Sequence, residues 1–118
     1  MTVDWVAFET IWQHEKETLG KELYYALLGI TEKKARMYEE KKLALPEHLA
    51  KKMIVLKELI DSLENTYTKD GIKRWFTRPR LKLTGEIPAH LLLGHWEKNM
   101  ALVNELMDIA KEHRIRTL

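Results

Sequence analysis

Apolar positions recur at three- and four-residue spacing along almost the whole chain, which predicts helices and leaves little room for a sheet. Trp5, Phe8 and Trp12 share one helical face with Ile11 beside them, so a first helix is expected from about Asp4 to Leu19, closed by Gly20. A short second helix follows from about Lys21 to Leu28, with Gly29 after it. Thr31 is placed to cap a third, from about Glu32 to Lys42, because its hydroxyl can accept a bond from a free backbone N–H. Pro46 suits the first turn of a long helix that reaches about Tyr67. Along it Leu49, Met53, Leu56, Ile60, Leu63 and Tyr67 form one stripe. That stripe is too short for a long coiled coil and predicts a central core helix.

Beyond it the pattern breaks into short pieces. Lys69-Asp70-Gly71 reads as a turn. A short helix from about Ile72 to Thr77 should stop before Pro79, because the residue preceding a proline is pushed out of the α region. Arg80 to Lys82 is expected to be extended, Gly85 to make a turn, and Pro88 to open a brief helix ending at Gly94. A last helix is predicted from about His95 to His113. Trp96, Met100, Val103, Met107 and Ala110 form one stripe on it; Leu102, Leu106 and Ile109 form a second. Two stripes exceed the ~100° apolar face that a helix needs for its own core. The second stripe is therefore expected to meet another copy of the chain, in a homodimer or higher oligomer, or a different protein.

Composition narrows the possible functions more than it names one. Formal charge nearly cancels at +2, so any nucleic-acid contact must come from a local patch. Cysteine is absent, which removes disulfides, thiolate zinc sites and cysteine nucleophiles. The N-terminal segment carries acids early and has no long apolar run, and no other stretch is apolar for long enough to span a bilayer. A cytoplasmic protein without a membrane segment is expected.

Candidate chemistry is sparse. His14, His48, His90, His95 and His113 show no metal-pair spacing, since His90 and His95 are five apart across Gly94. No phosphate loop or nucleophile elbow is present. No catalytic residue, metal or cofactor is expected. Helices two and three, KELYYALLGITEKKARMYEEKK, have the order of a helix-turn-helix. Lys33, Lys34 and Arg36 are its DNA-contact candidates, offset by Glu32, Glu39 and Glu40. Tyr25 stands where a small residue would let the two helices approach. Lys73, Arg74, Arg78, Arg80 and Lys82 form a basic run around Trp75 and Phe76. Such a run suits single-stranded nucleic acid; the alternative is that both rings are core anchors beneath a solvated rim.

The segment IKRWFTRPRLKLTGEIPAHLLLG, residues 72–94, is not generic helix filler. Its Trp75, Pro79, Leu83, Gly85, Pro88, Leu91, Leu92 and Gly94 fall in the tryptophan-proline-glycine-proline-leucine pattern of a toxin-binding domain. In this the chain resembles the Xre/MbcA/ParS-type antitoxins of bacterial toxin–antitoxin modules. It departs from them where Glu86-Ile87, in place of a small or basic residue, precede Pro88, and in its short, charge-mixed helix-turn-helix. The resemblance implies an all-helical homodimer whose C-terminal part blocks the active-site entrance of a protein toxin, usually a RES-type enzyme that degrades NAD. It also implies an N-terminal part that binds the operon's own promoter DNA.

Together these readings give an all-α multi-helix bundle, with an N-terminal helix-turn-helix-like module over residues 1–68 and a toxin-binding-like domain over 69–118. Leu102, Leu106 and Ile109, with Arg114 and Arg116 beyond them, are the expected toxin contacts, the arginines because their planar donors suit an anionic cleft. Trp75, Pro79, Gly85, Pro88 and Gly94 are expected as scaffold. Two other classes fit the same residues: a DNA-binding regulator without a toxin, and a helical oligomerisation module.

Overall fold

A computed structural model describes the backbone of residues 1–115 and the side chains of residues 1–112. Among the described residues the chain is all-α apart from one short strand pair. Helices α1 (Trp5–Leu19), α2 (Lys21–Leu28) and α3 (Glu32–Lys41) are followed by α4 (Glu47–Glu64), α5 (Lys69–Thr77), α6 (Pro88–Leu91) and α7 (Met100–Ile115). Single 3-10 turns at Leu81–Leu83 and Trp96–Lys98 join the last elements. Strands β1 (Thr2–Val3) and β2 (Leu45–Pro46) pair antiparallel, with Val3 opposite Leu45, and tie the N-terminus to the start of α4.

The central position falls to α4, whose stripe is buried along its length from Leu49 to Leu63. It packs against α1 and α7, and α5 packs against both α1 and α4. Buried residues from Trp5 to Ala110 belong to one hydrophobic cluster, so the segments on either side of residue 68 share a core. Its densest part is aromatic. Trp12 meets Trp5, Tyr24 and Tyr38 edge to face at 5.1, 5.4 and 6.4 Å, the geometry that ring quadrupoles favour.

Several boundaries fall where the residues place them. Gly20 and Gly29 close α1 and α2 at φ 81° and 73°, backbone that favours glycine. Thr31 Oγ1 accepts the Lys34 N–H at 3.1 Å and caps α3. Thr31→Ala should therefore cost about 1 kcal/mol, read as a lowered urea midpoint with an unchanged slope.

Others differ. Lys69-Asp70-Gly71 is no turn: Thr68 Oγ1 accepts the Gly71 N–H at 3.3 Å, and those residues form the first turn of α5. Arg80 keeps its extended backbone, but Leu81–Leu83 coil into a 3-10 turn. The last helix starts at Met100, later than expected, because the Trp96 Nε1–H donates to the Leu27 carbonyl at 2.8 Å and fixes a separate turn before it. Asn99 Oδ1 then accepts the Leu102 N–H at 3.2 Å and opens the helix.

Candidate functional site

The segment between α5 and α7 holds α6 and two 3-10 turns joined by tight loops. Trp75 and Phe76 are buried, with ring centroids 5.0 Å apart and nearly perpendicular. They are core anchors and leave no ring for a nucleic-acid base. Arg80 lies over the Trp75 ring at 5.4 Å, and its Nε donates to the Trp75 carbonyl at 3.3 Å. Burial lowers its pKa, against the opposing influence of Tyr67.

From Arg80 the chain makes a tight loop. The Arg80 N–H donates to the Glu86 carbonyl at 3.0 Å, and the Gly85 N–H returns to the Arg80 carbonyl at 2.9 Å. The loop needs left-handed backbone at Thr84 (φ 53°) and Gly85 (φ 83°), and glycine removes the strain at the second. Leu83, Pro88 and Leu92 turn inward. Gly94, at φ 57°, redirects the chain toward Trp96. Pro79 is exposed and ends α5 from outside. The scaffold residues read from the sequence thus form one unit.

On that unit two leucines face the solvent. Leu81 is 95% exposed and Leu93 is 70% exposed. The basic run beside them is partly committed: Arg80 to Trp75, and Lys82 to Glu112 on α7. Lys73, Arg74 and Arg78 remain on the surface.

The second apolar stripe of the last helix faces the chain's own core. Leu106 is 1% exposed, Ile109 is also buried, and Leu102 is half-buried against the core. The reason is the neighbour: α4 packs against α7, and Val103, Leu106, Met107, Ile109 and Ala110 of the two stripes are buried inside one chain, whereas Met100 is 59% exposed. Leu106 and Ile109 offer no surface to a toxin. Arg116 and the side chain of Arg114 lie outside the described part of the chain.

Of the DNA candidates, Lys33 and Lys34 are exposed on α3. Arg36 sits 3.6 Å from Glu32, which also accepts from Lys21 at 3.1 Å, so part of this face is neutralised. Tyr25 is buried beside Trp12, and α3 seats on the core through Ala35 and Tyr38.

Three buried charged residues, Glu15, Lys52 and Glu97, escaped the reading of the sequence. Glu15 is fully buried on α1; Oε1 accepts the Tyr24 hydroxyl at 2.8 Å and Oε2 has no partner. Burial pushes its pKa up to about 9, so the carboxyl is neutral at pH 7. Lys52, on α4, donates to the Leu28 carbonyl at 3.2 Å, faces the buried Glu97 at 4.0 Å and lies 5.9 Å from the Trp96 ring. Burial lowers its pKa while Glu97 opposes the shift. This pair fastens α2, α4 and the Trp96 turn together. Both residues sit at core spacing, Glu15 three after Trp12 and Lys52 three after Leu49, and that register was the available signal.

His48 and His95 meet edge to face at 5.5 Å near Glu97. Among the described residues, no group of three histidine, aspartate or glutamate side chains is placed to hold a metal ion. No described helix is long and apolar enough to cross a membrane. No protein-family model matches the chain, and comparison with curated proteins and with solved structures gives no match.

Proposed function

We propose that this chain is an antitoxin-like protein that binds and neutralises a cognate protein toxin in the cytoplasm, the toxin being of the NAD-degrading RES type that the resemblance implies. One observation carries the reading. The residues that bear the resemblance fold into a hydrogen-bonded loop seated on Trp75 that leaves Leu81 and Leu93 exposed to solvent. Exposed apolar side chains held on a hydrogen-bonded loop suit the anchors of a protein interface. The toxin contacts are therefore reassigned from Leu106 and Ile109 to this loop.

The test is co-expression with a toxin encoded beside the gene, following growth and NAD. Leu81→Asp and Leu93→Asp should keep the fold, since both positions are exposed, and should weaken neutralisation by tenfold or more, about 1.4 kcal/mol or above. Full rescue by the double variant would remove the loop from the interface. Failure of the wild-type chain to bind any neighbouring gene product would sink the antitoxin reading itself.

Promoter binding is a second activity with its own support: α2 and α3 are joined through the left-handed Gly29, and Lys33 and Lys34 face outward without an ion pair among the described residues. If they contact phosphate, Lys33→Ala with Lys34→Ala should weaken promoter binding and flatten its salt dependence. Unchanged mobility of promoter DNA at low salt, with protein that still folds, would leave the protein-binding role alone.

A further inference from the structure

Two histidines far apart in the sequence meet where α4 begins. His48 lies in the first turn of α4, and His95 immediately precedes the 3-10 turn at Trp96–Lys98. Two bonds hold these elements in place. The Trp96 Nε1–H donates to the Leu27 carbonyl at 2.8 Å, and Lys52, one turn along α4 from His48, donates to the Leu28 carbonyl at 3.2 Å. That anchoring sets the His48 and His95 rings 5.5 Å apart between centroids, with their planes at 83°. Both side chains are exposed, so core packing does not account for the pairing.

The separation is close to the one a shared metal ion imposes. An imidazole nitrogen lies about 1.2 Å from its ring centre and about 2.1 Å from a zinc it binds, so two rings on one tetrahedral ion have centres roughly 5.3 Å apart. The two rings already stand at that spacing. Rotation about the Cβ–Cγ bond, a broad torsion for histidine, turns one nitrogen of each toward a common point.

A buried carboxylate backs one of the rings. The Glu97 side chain is fully buried and its oxygens are divided: Oε1 faces Lys52 at 4.0 Å, and Oε2 faces the His95 Nδ1 at 3.5 Å. Among the described residues neither oxygen has a hydrogen-bond partner. Metal-binding histidines give their second ring N–H to such a carboxylate, which fixes the tautomer and makes the ring a better donor to the ion. Here that leaves the His95 Nε2 for a metal.

We propose that His48 and His95 form a two-histidine site for a divalent transition-metal ion of the zinc, nickel and copper class, with Glu97 orienting His95 and water completing the coordination. The site supplies two protein ligands, one fewer than a catalytic zinc centre, so exchangeable binding is expected. A bound ion would tie the start of α4 to the turn that leads into α7. Spacing along the sequence does not reveal the pair, because only the fold joins the two residues. The proposal rests on no part of the antitoxin reading.

Calorimetric titration of the full chain with zinc chloride tests it. One zinc per chain is expected, and His48→Gln and His95→Gln should each weaken binding by about tenfold or more. Both positions are exposed, so without metal the variants should melt like the wild type. His14→Gln is the control. That ring also stands beside a carboxylate, Glu64 at 2.7 Å, and its loss should change zinc affinity by less than about twofold. Zinc should raise the melting temperature of the wild type and leave that of either site variant nearly unchanged. Ring nitrogen shifts should show His95 bound through Nε2, with the proton on Nδ1 where a carboxylate partner holds it. Wild-type binding that fails to saturate below about 1 mM zinc would overturn the proposal. So would site variants that bind within about twofold of the wild type, or a His14→Gln chain that loses the zinc. Coordination of His95 through Nδ1 would overturn the role given to Glu97.

Discussion

Leu106→Glu is expected to unfold the protein. A chain that uses Leu106 to bind a partner would tolerate a charge there as a soluble monomer. Here Leu106 is 1% exposed under α4, and the substitution acts twice. It removes a buried leucine, worth about 1.5–3 kcal/mol of transfer free energy. It also confines a carboxylate among apolar groups without a partner, which costs several kcal/mol more. The sum, on the order of 5 kcal/mol, is comparable with the whole stability of a small domain. Far-UV circular dichroism at 25 °C should show lost helix and no cooperative melt. Leu102→Glu, at a half-buried position on the same helix, should keep its transition. A Leu106→Glu variant that melts like the wild type would show that α7 presents this stripe outward, and would return it to the list of partner contacts.

The contrast between α7 and the N-terminal helices shows what the pattern of residues can reveal. Trp5, Trp12, Gly20, Gly29 and Thr31 act on their own neighbourhoods, so spacing and local hydrogen bonding suffice to place α1 to α3. The width of an apolar face on α7 is equally plain, but what covers it is a tertiary fact. Periodicity counts apolar residues without counting the helices available to bury them, and α4 serves both of its neighbours. The 3-10 turn at Trp96–Lys98 depends on the distant Leu27 carbonyl, which no local window contains. The β1–β2 pair is likewise non-local and only two residues long on each side. In the Trp75–Gly94 segment Trp75 and Pro88 are buried, whereas Pro79, Gly85 and Gly94 are exposed and act on the backbone at its turns. Which leucines would face outward was not legible. Leu81 and Leu83 differ only in which side of a 3-10 turn they occupy.

The buried charges carry the same lesson into energetics. A glutamate or lysine at core register looks like a solvated edge of the stripe until its surroundings are known. Lys52 is reconciled with burial by Glu97, the Leu28 carbonyl and the Trp96 ring. Glu15 is reconciled mainly by staying neutral.

Glu15→Gln should consequently stabilise the protein, and by an amount that depends on pH. Burial raises the Glu15 pKa to about 9 from 4.5; the Tyr24 hydroxyl bond and Lys57 oppose that rise, and Asp61 adds to it. Below pH 4.5 the carboxyl is protonated in the folded and unfolded chains alike, and it imposes no penalty. As pH rises above 4.5 the unfolded chain ionises while the folded chain holds its proton. The unfolded state gains about 1.4 kcal/mol per pH unit over that window. The loss stops near pH 9, where the folded carboxyl ionises as well. At pH 7 the accumulated penalty is roughly 3 kcal/mol. Glutamine keeps an oxygen for the Tyr24 hydroxyl and has no charge to release in the unfolded chain. Its amide N–H₂ inherits the site of Oε2, which lacks a partner already, so little new cost arises. Urea midpoints taken at pH 5, 7 and 9 should therefore lie close together for the two proteins at pH 5 and diverge toward pH 9, with the variant above. Parallel curves would mean that Glu15 is ionised within the fold, which would require a cationic or solvated environment around Oε2 in place of the apolar one that α1, α2 and α4 provide.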